Sequence, residues 1–241
     1  MKKKALLDTT GGNTKLAKGM KDELIRIAGL SLQPNKKLCP MQDIADCKRA
    51  CLYFSGRGHM QNVINARREK TEYLENYRSE FIDQLCGELH KFEKLCKRTN
   101  VKPYVRLNVL SDVQWELPAY GSIPDTFPDL NFYDYTKLSK RLTKTPKNYQ
   151  LMFSYSKASA YQKYVQEALE TNVPMSVVFS DDNFPTDFLG RPVHNGDDSD
   201  ILNLEKYGEI NGLKYKNPNG QGIDPLDVEL VVDTNLIAIA A

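Results

Sequence analysis

Residues 104–110 (YVRLNVL) decide the fold class, because apolar and polar side chains alternate along them and the helical spacing before Pro103 ends there. Such alternation predicts a half-buried strand. Three further stretches have the composition of strands, and a helical pattern over residues 158–171 separates the last two. They are residues 130–135 (LNFYDY), 149–155 (YQLMFSY) and 175–179 (MSVVF). Strands joined by helices or loops predict parallel βα units, so we expect an α/β fold with a partial or distorted βα barrel.

Residues 61–98, upstream of the first strand, predict one long helix with an apolar stripe. The stripe advances along the chain by 4, 4, 3 and 4 residues, which is helical spacing. Its members are Phe81, Leu85, Leu89, Phe92 and Cys96. Cys96 lies on the stripe and Cys86 beside it, so both are predicted to be core thiols rather than ligands.

Length, charge and hydropathy narrow the classes of function. The 241 residues include 33 basic and 31 acidic side chains, and a net charge of +2 does not by itself argue for nucleic acid or membrane. The sequence shows neither the long apolar run of a transmembrane helix nor the apolar core of a secretory signal after residues 2–4. We therefore expect a cytosolic protein, in which clustered cysteines bind metals or take part in catalysis rather than form disulfides.

The composition changes near residue 38. Residues 1–38 are basic and rich in loop-forming residues, and they predict an N-terminal arm in which residues 21–30 form a short helix. Residues 39–241 are predicted to form a single α/β domain that carries a cysteine-rich loop at its start.

This cysteine segment, residues 39–58 (CPMQDIADCKRACLYFSGRG), holds three of the five cysteines with the spacing C-x7-C-x3-C. On a helical turn Cys47 and Cys51 would share one face, and Cys39 would reach them from the loop. Two metal centres fit three thiolates: a [4Fe–4S] cluster with one iron left to another ligand, or a zinc site completed by His59. The spacing leaves both open, beside the alternative that the three thiols bind no metal.

Polar residues recur where the four predicted strands end. Sites in βα folds gather at the carboxyl ends of strands, so this recurrence predicts a site. The candidate catalytic residues are Asp112, Asp134, Lys137 and Lys157, and the candidate ligand-binding residues are Ser111, Tyr135 and Ser156. The alternative is that these residues are solvated loop caps, which Ser, Asp and Lys also favour.

Two loops add further candidates. Arg57, between two glycines, could bind an anion such as a phosphate or carboxylate, or lie on a solvated turn. Asp198, in the loop HNGDDSD of residues 194–200, could bind a divalent metal, although an acidic turn is favoured because the EF-hand spacing is missing.

Several motifs occur in one order along the chain: GNTKLAKG, CP-x6-C-x3-CLYFSGRG, ARREKT, VRLNVLSDVQWE, FYDYTK, YQLMFSYSK and HNGDDSD. Together they resemble an uncharacterised family of small bacteriophage-encoded proteins, over residues 12–233. The resemblance implies a phage origin, action in the cytoplasm of the infected host cell and a single domain. By matching motif, the resemblance also indicates positions of interest. They are Cys39, Cys47, Cys51, Arg106, Asn108, Ser111, Asp112, Asp134, Tyr135, Lys137, Ser156 and Asp198.

Some members of that family are labelled replication-associated. A rolling-circle nickase needs a pair of metal-binding histidines and a nearby tyrosine, and His59, His90 and His194 do not provide that pair. We therefore do not expect that activity.

The first functional hypothesis is a cluster-dependent enzyme. An open iron above parallel strands is similar to the layout of radical-SAM enzymes, although their C-x3-C-x2-C spacing is not met. The open iron would hold a small-molecule substrate or S-adenosylmethionine, and the four candidate catalytic residues would orient it.

Two hypotheses of other classes stay open. In one, the protein is a binding module in which zinc or a cluster attaches the N-terminal arm to the barrel. The basic residues 2–37 would then bind nucleic acid or a host protein. In the other, the chain is a Mg²⁺-dependent nuclease. Its metal ligands would be Asp112, Glu116, Asp134 and Asp198.

Overall fold

The computed structural model describes residues 4–10, 16, 20, 24–216 and 223–235, with Phe54 described by its backbone alone. The strands are β1 (Leu7–Asp8), β2 (Ile25–Leu30), β3 (Lys102–Arg106), β4 (Asn131–Thr136), β5 (Tyr149–Ser154), β6 (Met175–Phe179), β7 (Asp187–Phe188), β8 (Arg191–Asn195), β9 (Ile210–Lys214) and β10 (Val231–Val232). The α-helices are α1 (Gln61–Asn76), α2 (Arg78–Thr99), α3 (Ile123–Thr126), α4 (Gln162–Leu169) and α5 (Asp200–Asn203).

The strands form one sheet in the order β1-β2-β3-β4-β5-β6-β9-β8-β7, and β10 pairs with β6 beside this path. The pairs β2–β3, β3–β4, β5–β6, β6–β9 and β8–β9 are parallel, whereas β1–β2 and β7–β8 are antiparallel. The expected mixed α/β class is confirmed. Within the described residues the strand order does not return on itself, so the partial or distorted barrel is not confirmed.

The four predicted strands are all present as β3, β4, β5 and β6, but the first is shorter than predicted. It ends at Arg106, and residues 107–110 lie beyond it. The cause is a change of hydrogen-bond partner: the Asn108 backbone N–H donates to the Asp134 carboxylate at 2.7 Å. The chain therefore turns where the alternating pattern predicts continued strand.

The single long helix predicted over residues 61–98 is wrong in one respect, because the structure has two consecutive helices. Tyr77 separates α1 from α2 with φ −139° and ψ 57°, outside the helical region. Asn76 and Tyr77 both have modest helix propensity, and Tyr77 gains little from burial because it is 60% exposed. The apolar stripe of α2 is buried as predicted.

The short helix predicted for residues 21–30 is also wrong where the structure describes it. Residues 25–30 form β2, which pairs in parallel with β3 and buries Ile27, Ala28 and Leu30. Pairing in the sheet outweighs a weak local helical pattern. Residues 21–23 lie outside the described residues, and the boundary at residue 38 stays a prediction.

Two compact units divide the chain. The first consists of Met1–Pro34, Gln61–Asp134 and Thr145–Gln150, and its core includes Phe81 stacked on Trp115 with ring centroids 6.4 Å apart. The second consists of Asn35–Met60, Tyr135–Lys144 and Leu151–Ala241, and its core includes Phe153 stacked on Tyr161 at 5.7 Å. The cysteine segment and the last described residues, 223–235, belong to the second unit.

Candidate functional site

In the first unit, the carboxyl ends of β3 and β4 meet in a buried polar network around Asp134. Its carboxylate, in a residue 1% exposed, accepts hydrogen bonds from the Asn108 backbone N–H at 2.7 Å, Asn108 Nδ2 at 3.0 Å and Tyr149 Oη at 2.7 Å. Three donors compensate the carboxylate for the loss of water. Through these three hydrogen bonds Asp134 stabilises the fold.

Asn108 forms the other half of this buried network. Its side-chain oxygen accepts hydrogen bonds from Ser111 Oγ at 2.8 Å, from the Val113 backbone N–H at 2.8 Å and from Trp115 Nε1 at 3.2 Å. The predicted residues Asn108, Ser111 and Asp134 are therefore brought together, and their mutual hydrogen bonds shape the loop after β3.

Three other predicted residues of the first unit lie near this loop in sequence. Arg106 is buried, and its guanidinium carbon lies 5.9 Å from the centre of the Tyr133 ring. Asp112 and Glu116 are half-buried on the loop itself.

In the second unit, Lys137 ties the residues after β4 to the end of β5. Its ammonium donates to the Ser154 carbonyl and hydroxyl oxygens at 3.1 Å each, and to the Tyr155 carbonyl at 3.2 Å. The same ammonium lies 5.3 Å from the centre of the Tyr161 ring. These contacts position the two chain segments relative to each other within the unit.

The predicted residues Tyr135 and Asp198 belong to the neighbourhood of α5. The Tyr135 hydroxyl donates to Asp200 at 2.8 Å, and Asp198 is exposed two residues earlier. The adjacent Asp197 accepts from Lys216 Nζ at 2.6 Å and from the Lys214 backbone N–H at 2.8 Å. An acidic turn, the favoured interpretation of this loop, agrees with these contacts.

The cysteine segment folds as a series of turns around its three thiols. The backbone N–H groups of Cys39, Cys47 and Cys51 donate to Asn35 at 2.8 Å, Gln42 at 3.1 Å and Lys48 at 3.4 Å. All three cysteine side chains are half-buried. The shared helical face expected for Cys47 and Cys51 is not formed, because residues 47–51 are not helical and residues 48–50 between the two cysteines form a bend and a turn.

A buried hydroxyl attaches this segment to the end of β5. Ser156 is 0% exposed, and its Oγ lies 2.8 Å from the Ala45 carbonyl oxygen and 3.1 Å from the Glu229 carbonyl oxygen. Ala45 lies between Cys39 and Cys47. The cysteine segment therefore lies at the carboxyl end of a parallel strand, where α/β proteins place their sites.

The candidate metal ligands of the cysteine segment are the three thiols and the adjacent His59. Among the residues that the structure describes, no three His, Cys, Asp or Glu side chains are grouped so that they could hold a metal ion. His59 Nδ1 lies 2.6 Å from the Gly56 carbonyl oxygen, and Arg57 is exposed on the same 3₁₀ turn. The three thiols in this arrangement do not fit a cluster or a zinc ion.

A row of polar side chains across β5, β6, β9 and β8 was missed by the sequence analysis. Ser154, Ser176, Asn211 and His194 are in register on neighbouring parallel strands, so their side chains share one face of the sheet. Ser176 Oγ and Asn211 Oδ1 are buried without a hydrogen-bond partner among the described residues. A serine within MSVVF and an asparagine within INGLK are the signals that could have revealed it.

Of the two predicted core thiols, Cys96 is buried as predicted, whereas Cys86 is half-buried. Burial raises the pKa of both thiols, and the carboxylate of Asp83 raises that of Cys86 further. A cavity of about 390 Å³ beside Cys96 is lined in part by Lys97, which pairs with Glu93 at 3.1 Å and with Asp129 at 2.8 Å. None of the predicted site residues lines this cavity, which lies at the amino end of β3.

The fold and the cysteine segment define a mixed α/β protein with a thiol-rich loop at the carboxyl end of its sheet. The model of one protein family, Gene product 88, matches residues 4–217, and the chain belongs to that family. This confirms the expected phage-type gene-product family, whereas the cysteine motif and the radical-SAM likeness stay predictions. No curated protein and no solved structure matches the chain.

The length and hydropathy of the helices bear on membrane insertion. In the described part of the chain, none is both long enough and apolar enough to cross a bilayer.

Proposed function

We propose that the chain binds a [4Fe–4S] cluster through the thiolates of Cys39, Cys47 and Cys51. The observation that carries the proposal is the buried Ser156 hydroxyl, 2.8 Å from the Ala45 carbonyl oxygen, which holds the cysteine segment at the carboxyl end of β5. Parallel α/β sheets bind their ligands at this edge. A group held by this segment therefore lies where such folds carry function.

The chemistry of the segment supports the same proposal. Thiolates are the protein ligands of iron–sulfur clusters, and three of them within thirteen residues leave one iron to another ligand. The thiols lie on turns and are half-buried, so water and metal reach them more easily than they reach Cys96. Because the three thiols do not fit a cluster in the described arrangement, the proposal requires the segment to rearrange when it is loaded.

In its finer form the proposal is an enzyme of the infected host cell's cytoplasm that uses a small-molecule ligand such as S-adenosylmethionine. Among the predicted site residues, Ser156 and Lys157 support this form most directly. The Ser156 hydroxyl contacts the cysteine segment, and the Lys157 backbone N–H donates to the Glu229 carbonyl oxygen at 2.8 Å beside it. Substitution of these residues is expected to affect ligand binding more than substitution of Asp134.

Iron, zinc and acid-labile sulfide in protein purified without oxygen test the proposal. We expect a brown protein with about four irons and four sulfides per chain, and loss of both in Cys47→Ala. Cys96→Ala is the matched control, because Cys96 is buried on α2 and should leave the iron content unchanged. A colourless protein with one zinc per chain would overturn the cluster proposal.

A zinc-stapled nucleic-acid-binding module is the second candidate. The observation that favours it is a set of exposed cations on and beside the cysteine segment: Lys36, Lys37, Lys48, Arg49 and Arg57. Cations of this kind contact phosphates, so affinity for DNA should fall steeply between low and moderate salt and should weaken in Lys48→Glu. Affinity that does not depend on salt would contradict this candidate.

The Mg²⁺-dependent nuclease is less well supported. Asp134, one of its four expected ligands, is 1% exposed and already accepts three hydrogen bonds. A carboxylate in that state has little capacity left for a hydrated metal ion, which keeps several of its waters.

A further inference from the structure

A row of aromatic side chains crosses the core of the first unit and reaches the surface at both ends. The Tyr73 ring centroid lies 6.4 Å from that of Tyr77 and 5.4 Å from that of Phe81. Phe81 stacks on Trp115, and the Trp115 ring lies 5.7 Å from that of Tyr120. Phe81 and Trp115 are buried, whereas Tyr77 is 60% exposed and Tyr120 is half-buried. The two outer rings are therefore packed against the core from one side only.

The two ends of this row belong to one stretch of surface. Residues 117–119, with the sequence LPA, are exposed and lead directly into Tyr120. The guanidinium carbon of Arg78 lies 5.0 Å from the centre of the Tyr120 ring, and Arg78 follows Tyr77 in the chain. We call Tyr77, Arg78 and residues 117–120 the tyrosine surface.

The 3₁₀ turn of this surface is held against α2. Gly121 has φ +82°, and a Cβ at this position would lie 2.9 Å from Ile82 Cγ2, so only glycine fits without a shift. The Gly121 backbone N–H donates to the Pro118 carbonyl oxygen at 3.0 Å, and the Ile123 N–H donates to the Trp115 carbonyl oxygen at 3.0 Å. A surface held in this way loses little conformational entropy when a partner binds.

Carboxylates border the tyrosine surface. Glu75 and Glu80 are exposed on either side of Tyr77 along the chain, and Glu116 is half-buried directly before residues 117–119. An acidic border repels the phosphates of a nucleic acid and the same border of a second copy, and it attracts lysine and arginine side chains. The charge of the border therefore favours a basic partner.

Aromatic and arginine side chains are enriched at protein interfaces, where a few of them carry most of the binding energy. We propose that the tyrosine surface binds a partner protein through a segment that carries both basic and apolar side chains. The apolar side chains of the partner pack on Tyr77 and Leu117, and its basic side chains pair with Glu75 and Glu80. The proposal does not rest on the proposed cluster, because the tyrosine surface contains no residue of the cysteine segment.

Amide chemical shifts of the isotope-labelled full chain, recorded by NMR during a titration, test the proposal. The probe is a soluble peptide that repeats Lys-Leu-Gly, and in the control peptide Glu replaces each Lys. We expect the probe to shift the amides of residues 73–82 and 116–122, and the control peptide to leave them unchanged. Shifts confined to other residues, or equal shifts with both peptides, would overturn the proposal.

Variants at the exposed ring sharpen the test. Tyr77→Ser should weaken binding of the Lys-Leu-Gly peptide about tenfold, as expected for a residue that carries much of the binding energy. Tyr77→Phe keeps the ring and should bind like wild type. Tyr207→Ser, at a tyrosine of the second unit that is 53% exposed, is the matched control and should leave the affinity unchanged. Unaltered affinity in Tyr77→Ser would contradict the proposal.

A charge reversal tests the acidic border separately. Glu80→Lys should weaken binding of the same peptide severalfold at low salt, and the difference from wild type should shrink as salt is added. Equal affinities of Glu80→Lys and wild type at low salt would show that the border does not select a basic partner.

Two further measurements distinguish the other occupants of this surface. Shifts at the tyrosine surface on addition of oligothymidylate would assign it to nucleic acid and overturn the proposal. A wild-type dimer in sedimentation equilibrium that becomes a monomer in Tyr77→Ser would assign it to a second copy of the chain and overturn the proposal as well. We expect neither result, because the border of the surface is acidic.

Discussion

The buried network of Asn108 and Asp134 and the cysteine segment were both predicted as parts of a site, and they differ in almost every physical respect. In the network, Asp134 and the Asn108 side-chain oxygen each accept three hydrogen bonds, and both residues are at most 2% exposed. In the cysteine segment the thiols are half-buried, and Lys48, Arg49 and Arg57 of the same segment are exposed. A carboxylate at a strand end can therefore hold a fold together, whereas the half-buried thiols are the atoms to which we assign the proposed cluster.

The largest expected effect is a loss of stability when the buried network is disrupted. Asp134→Ala should lower the free energy of unfolding by about 3 to 5 kcal/mol, because it strands buried donors on Asn108 and Tyr149. Urea denaturation measures the change. Asp129→Ala is the control and should cost less than about 1 kcal/mol, because Asp129 is 62% exposed in its pair with Lys97. A small cost for Asp134→Ala would mean that the network does not support the fold.

Tyr149→Phe removes one donor of the same network and keeps the ring. Loss of a hydrogen bond to a carboxylate should cost about 1.5 to 3 kcal/mol in urea denaturation. Tyr207→Phe, at an exposed tyrosine, should be nearly neutral. Equal stabilities for the two variants would contradict a stabilising hydrogen bond from Tyr149 to Asp134.

Ser156→Ala tests the attachment of the cysteine segment. The hydroxyl contacts the Ala45 and Glu229 carbonyl oxygens, so its removal should cost about 1 kcal/mol. The exposed Ser159 offers a matched control, and Ser159→Ala should change the free energy of unfolding by less than about 0.5 kcal/mol. If both serines behave alike, the segment is not held through Ser156.

Cys47→Ala should change the stability of the metal-free protein by less than about 1 kcal/mol, because the side chain is half-buried and lies on a turn. Cys96→Ala should cost more, since Cys96 is 1% exposed on the apolar stripe of α2. The free energies of unfolding of both variants decide the point. A larger cost for Cys47→Ala would assign the cysteine segment to the core and weaken its functional role.

The smallest expected effect is a dependence of stability on pH, and it arises at Tyr155. Burial raises the pKa of Tyr155 above its ordinary 10.0, and the Glu229 carboxylate raises it further. The folded state thus binds the phenolic proton more tightly than the unfolded state. This contribution to stability is complete below about pH 10 and is lost as the pH rises through the raised pKa.

Tyr155→Phe should therefore lose less stability than wild type between pH 9 and about pH 11, as measured by urea denaturation at each pH. Glu229→Gln should fall between the two. Identical pH dependence in wild type and Tyr155→Phe would show that the environment of Tyr155 is not as described.

The strands that carry the predicted candidates were recognisable from the sequence because their pattern is local. Residues 175–179 became β6 with the predicted bounds, since an apolar run before Ser180 favours a buried strand. Strand β9 was missed because Asn211 and Gly212 in INGLK resemble a loop, and its pairing with β6 depends on residues far along the chain. Strand β2 was missed for the same reason, because its partner β3 lies more than seventy residues later.

The candidate site was predictable as a set of residue types but not as a set of roles. The sequence placed Asp134 and Ser156 at strand ends correctly. Their roles depend on their hydrogen-bond partners, which are Asn108 and Tyr149 for Asp134 and Ala45 for Ser156. Those contacts are non-local. The partner of β10 depends in the same way on distant residues, because Val231 and Val232 pair with β6 more than fifty residues earlier.

The most direct test of the central claim is an anaerobic titration of apoprotein with ferrous iron and sulfide, followed by visible absorption. The cysteine segment is proposed to hold the cluster, so wild type should develop broad absorption that saturates near four irons per chain, while Cys47→Ala should stay colourless. Asp134→Asn should still load if it folds, because the network is proposed to be structural. Absorption that develops equally in wild type and Cys47→Ala, or in neither, would contradict the claim.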